Sequence, residues 1–138
     1  MLRHEELDWA FTHPINQYPP FYFHQQRPTS VVTPGETYAC GGLSARLIPT
    51  PGHTPGGQCI LVEQDVPSPL CFTGDTLFQG SIGRTDLPGG SFAQISASLK
   101  LLAQLLPPET TILPGHGDCS TMEHELRTNP YLQPEADF

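Results

Sequence analysis

Three short apolar runs each end in a glycine turn that carries a metal-competent side chain. L-S-A-R-L-I-P-T (43–50) leads to Pro51-Gly52-His53, P-L-C-F-T-G (69–74) leads to Asp75, and T-T-I-L-P-G (110–115) leads to His116. Runs this short, bounded by turn residues, fit strands better than helices. Glycine lets the backbone turn sharply at each strand end, so the next side chain can be aimed into a cleft. Two imidazoles and a carboxylate delivered in this way form a candidate metal site, because both ligand types suit zinc and iron.

The other elements follow from period and punctuation. E-T-Y-A-C and the 43–50 run predict a hairpin around Gly41-Gly42, and Q-C-I-L-V-E and P-L-C-F-T-G predict central strands buried on both faces. Ser91 to Leu106 predicts a helix with Phe92, Ile95, Leu99, Leu102 and Leu106 on one stripe, started by Ser91 and Gln94 at capping-box spacing and stopped by Pro107-Pro108. A shorter helix is expected from Ser120, with Glu123 three residues on, to the residue before Asn129-Pro130. Residues 2–11 predict a short helix, and 12–34 a proline-rich loop packed by Tyr18, Phe21, Tyr22 and Phe23 that could wall a substrate cleft. His4, His13 and His24 fall in these segments and are read as non-ligands. The order of elements gives an α+β chain with a mixed sheet and helices on one face.

Composition narrows the partners. With 138 residues, 1–138 is expected to form a single domain, and a formal charge of -8 argues against nucleic acid or an anionic membrane as partner. No apolar run is long enough to span a bilayer and Met1-Leu-Arg-His-Glu-Glu is not a signal peptide, so a cytoplasmic protein is expected. Cys40, Cys59, Cys71 and Cys119 form no C-x-x-C pair and are read as reduced small hydrophobes, with Cys119 of interest for its closeness to His116.

T-P-G-H-T-P-G-G, F-T-G-D-T-L-F, G-S-I-G-R-T-D and L-P-G-H-G together resemble the later motifs of the metallo-β-lactamase-fold hydrolases, most closely the glyoxalase II-like branch. The resemblance implies an αββα sandwich and a two-metal site, usually zinc and sometimes iron or manganese. It also implies that His53 and His116 serve different metals, that Asp75 bridges them as ligand and catalytic group, and that the substrate is a thioester such as an acylated glutathione. Arg84 becomes the candidate for binding an anionic substrate; a structural pair with Asp86 is the equal alternative.

The sequence departs from the family at one place. The opening H-x-H-x-D-H motif is absent, and neither H-x-H nor D-H occurs. The expectation is thus an incomplete, N-terminally truncated domain whose uncovered sheet face favours a homo-oligomer or a complementing N-terminal segment. Two further readings stay open: a non-catalytic remnant serving as an assembly module, and a mononuclear iron enzyme resembling persulfide dioxygenases, built on two His and one carboxylate.

Overall fold

The fold is described for residues 37–133 in a computed structural model. The expectations for residues 2–11 and 12–34, including His4, His13, His24, Tyr22 and Phe23, lie outside the described residues.

Strands β1 (Thr37–Cys40) and β2 (Leu43–Pro49) form the expected hairpin, with Cys40 opposite Leu43. Gly41 and Gly42 have φ of 55° and 85°, the backbone that a two-residue turn between twisted strands demands. Strands β3 (Gln58–Val62) and β4 (Leu70–Gly74) extend the sheet antiparallel, and β7 (Thr111–Pro114) joins β4 in parallel. With β8 (Ser120–Thr121) at the edge, the order is β1-β2-β3-β4-β7-β8. The mixed α+β sheet is therefore as expected.

Helix α1 (Phe92–Leu105) provides the crossover between β4 and β7. The Ser91 hydroxyl accepts from the Gln94 amide at 3.2 Å, and the Leu106 amide closes the other end on Leu102 O. Ile95, Leu99 and Leu102 bury against Ile48, Cys59, Leu61, Cys71 and Ile112, which share one face of the sheet. Each large side chain buried this way contributes roughly 1.5–3 kcal/mol.

The expectation of strands buried on both faces is corrected for β4. Strand β4 alternates, and Phe72, on the face turned from α1, is 44 % exposed. Leu47 and Val62 on that same face are buried, so the exposure is local to the middle of the sheet. Helix α2 (Met122–Thr128) also begins one residue later than expected. Thr121, not Ser120, caps it by accepting from the His124 amide, and Ser120 instead donates to Glu125 at 2.6 Å. A 3-10 turn, Pro130–Leu132, follows.

A second, two-stranded sheet was not expected: β5 (Leu77–Phe78) and β6 (Ser81–Ile82) form a small hairpin just after Asp75. No helix among the described residues is long and apolar enough to cross a membrane.

Candidate metal centre

His53, Asp75 and His116 come together, as their place at strand ends required. Asp75 follows Gly74, the last residue of β4, and His116 follows Gly115 just beyond β7. The parallel pairing brings the two strand ends side by side, with the Gly115 amide bonded to Gly74 O at 2.8 Å. Gly74 has a φ of 52°, which turns the chain so that Asp75 leaves the sheet.

Backbone contacts tie the loop after β2 to the start of α1. Ser91 N donates to Gly52 O at 2.7 Å and the Ser98 hydroxyl donates to Pro51 O at 2.8 Å. Gly52 is required here: its φ is 143°, and a Cβ would lie 2.4 Å from the Ile95 backbone nitrogen. This close approach fixes the chain one residue before His53.

Asp75 stands between the two imidazoles. Its Oδ2 is 3.5 Å from His53 Nε2, and its Oδ1 is 3.3 Å from His116 Nδ1. The His53 ring is further fixed because its Nδ1 lies 2.8 Å from Arg84 O. A carbonyl oxygen only accepts, so Nδ1 carries a hydrogen, and Nε2 is the nitrogen that a neutral ring has left for a ligand. His116 packs instead on Phe78, with ring centroids 4.6 Å apart. The side chains of His53, Asp75 and His116 are 24 %, 45 % and 73 % exposed, so the site opens to solvent on the His116 side.

Because each imidazole faces a different carboxylate oxygen, the trio does not close on one point. Accordingly, no group of three His, Cys, Asp or Glu side chains among the described residues is arranged to hold a single ion. The set is two imidazoles, each facing its own oxygen of one carboxylate.

The Arg84 side chain is exposed and engaged by a neighbouring carboxylate. It pairs with Asp86 through Nε to Oδ1 at 2.7 Å and Nη2 to Oδ2 at 2.8 Å. Those hydrogen bonds from Arg84 hold the Asp86 carboxyl at about 2, while Asp86 raises the guanidinium in turn. Both groups are exposed, so the pair orders the loop more than it stabilises the fold. Beneath the site Thr50, Thr76 and Cys59 form a buried polar contact, with hydroxyls 3.2 Å apart and Thr50 Oγ1 3.4 Å from Cys59 Sγ. Its hydrogen bond to Cys59 and then burial push the Cys71 thiol far up, and Cys59 and Cys71 are both buried and free. Cys119 is exposed and lines an open groove with Gln79, Ser120, Thr121 and His124.

Sequence reasoning missed three contributors: the Arg84 carbonyl, the Phe78 ring and Gly83. A Cβ on Gly83 would fall 1.8 Å from Asp75 O and 3.2 Å from His53 Cβ. The G-S-I-G-R-T-D motif signals this turn, but a backbone acceptor has no residue signature.

Known proteins are similar to this chain in sequence and fold. Hydroxyacylglutathione hydrolase GloC of Haemophilus influenzae is 36 % identical over 102 residues, covering 74 % of this chain and 47 % of that protein. The probable polyketide biosynthesis zinc-dependent hydrolase BaeB of Bacillus velezensis is 34 % identical over 119 residues, covering 83 % of this chain and 51 % of that protein. Among solved structures, TTHA1623 in a di-iron-bound form is 38 % identical with a TM-score of 0.63, over 76 % of this chain and 49 % of that one. The chain thus spans about half the length of the curated relatives it matches. Residues 1–116 match the metallo-beta-lactamase superfamily, and on that match and this fold the chain belongs to that superfamily.

Proposed function

We propose that the chain contributes the later half of a two-metal hydrolase site that cleaves a thioester such as an acylated glutathione, in the manner of the glyoxalase II-like branch. The observation that carries this reading is the division of Asp75: one oxygen faces His53 and the other faces His116. That arrangement suits a bridging carboxylate better than a two-His, one-carboxylate mononuclear set. The relatives named for hydroxyacylglutathione hydrolysis and for zinc dependence, and the relative holding two irons, support the substrate class and the metal chemistry.

In this reading His53 and Asp75 would hold one cation and His116 and Asp75 the other, with zinc as the expected ion and iron or manganese as substitutes. The donor chemistry fits, since the ring of His53 is already held in the tautomer that offers Nε2. Such a pair of cations, when bound, lowers the pKa of a shared water and polarises the scissile carbonyl. Asp75, between both imidazoles, keeps the half-sites at a fixed separation. Arg84 keeps its Nη1 amino group clear of Asp86 and can meet the anionic end of the substrate. Catalytic zinc needs about three protein ligands for each ion, so this trio needs complementing donors. An H-x-H-x-D-H segment, in a complementing N-terminal piece set against the Phe72 face, would provide them; a second copy of the chain is the other occupant proposed for that face.

The test measures thiol release from an acylated glutathione. One arm uses the chain supplied with zinc, and the other uses the chain joined behind an H-x-H-x-D-H segment from a relative. Metal-dependent release in the joined form, abolished by Asp75→Ala, is expected. Absence of metal-dependent release in both arms overturns the reading.

A further inference from the structure

The β5–β6 hairpin cannot hold itself. Its strands are two residues each, and its turn has a positive φ at Gly80 (72°) but not at Gln79, unlike the turns that match the twist of paired strands. Yet this hairpin lies between Asp75 and Arg84 in sequence and carries Phe78, so the site depends on where it sits.

Two wholly buried side chains on the far side supply what it lacks. Glu125, from α2, accepts from the Gly80 amide at 2.8 Å and from Asn129 Nδ2 at 3.0 Å through Oε1, and from Ser120 Oγ at 2.6 Å through Oε2. Asn129 Nδ2 also donates to Ser81 O at 3.1 Å and Phe78 O at 3.4 Å, while its Oδ1 accepts from Tyr131 N at 3.0 Å. Among the described residues the partners of Glu125 are all neutral, so none of them offsets the cost of burying a carboxyl with an ion pair. What the contacts do is grip both strands of the turn, at Phe78, Gly80 and Ser81.

We propose that Glu125 and Asn129 are positioning residues for the paired-histidine site, setting the β5–β6 hairpin so that Phe78 rests on His116 and Arg84 O meets His53. This rests on the reading of His53 and His116 as metal ligands only for its effect on metal affinity. The geometric part stands on the chain alone.

The experiment follows the His53 and His116 ring resonances by NMR in the metal-free full chain, then measures zinc affinity by chelator competition. In Glu125→Ala the Gly80 amide loses its acceptor and Asn129 Nδ2 loses one of its three. The His116 ring is expected to lose the displacement caused by Phe78, His53 to lose its single tautomer, and zinc affinity to fall about 10-fold or more, as for lost outer partners of metal ligands. Glu125→Gln keeps an oxygen for Gly80 N and is expected to restore all three. Glu123→Ala, exposed on the same helix, is the control for loss of α2. Should Glu125→Ala not fold, Ser120→Ala removes one contact and gives the same ring displacements at smaller amplitude. Unchanged ring resonances in folded Glu125→Ala, or in Ser120→Ala if the first fails to fold, overturn the proposal, as does a Gln variant that behaves like Ala. A wild type that binds no zinc defeats the metal-site reading and leaves the ring measurement decisive for the clamp.

Discussion

His53 and His116 come from nearly the same motif, P-G-H, but the fold treats them differently. His53 is held on three sides: Gly52 is pressed on Ile95, Arg84 O takes Nδ1, and Gly83 lies against its Cβ. His116 is mostly exposed, and its ring meets Phe78 and one carboxylate oxygen. The difference teaches that one imidazole is set by backbone contact and the other by a side chain on a small hairpin. Backbone contacts do not adjust; a ring on a hairpin can.

The largest expected effect lies on the rigid side. Gly83→Ala puts a methyl group into Asp75 O and against His53, and should cost ~3 kcal/mol or more in chemical denaturation. Gly115→Ala, on the His116 side, meets Asp75 Oδ1 at 3.1 Å and Gly74 O at 3.2 Å, and should cost ~1 kcal/mol because both contacts are far less severe than 1.8 Å and the nearer one is a side chain that can yield. Equal costs would break the comparison.

A smaller effect is expected from Phe78→Leu. It removes the ring contact with His116 and should cost about 0.5–1.5 kcal/mol beyond the lost area, while leaving the His53 tautomer intact by 15N NMR. If the His53 signal moves too, the two imidazoles are coupled more tightly than their contacts indicate.

The smallest concerns the loop between them. The folded pKa of Asp86, about 2, lies below the usual carboxylate value, so its stabilising pair is complete above that usual value. It is lost as pH falls through about 2, which the Arg84 Nε–H resonance should report, with little change in overall stability because both groups are exposed. Loss of the resonance near pH 4 would show that the pair is weaker than its geometry.

The sheet and α1 were legible because each rests on a pattern longer than one turn: alternation through Leu43–Pro49, a stripe through Phe92–Leu105, and turn residues between. The trio was legible because glycine marks the sharp turns that aim His53, Asp75 and His116. Strands β5 and β6 are too short to show a period. Glu125, among charged residues on a short helix, reads as solvent-facing, and only the fold shows that it is buried under the hairpin. The shift of the α2 cap from Ser120 to Thr121 has the same origin, since Ser120 is drawn off by Glu125.

The parallel union of β4 with β7 gives the molecule a working end and a handle end. Asp75 and His116 leave the sheet at one edge, whereas the exposed bend between β3 and β4, Glu63 to Ser68, lies at the opposite extremity of the same strands. A tag, a dye or a fused domain attached at that bend would hang from the handle, and the full length of β4 would stand between the attachment and the chemistry.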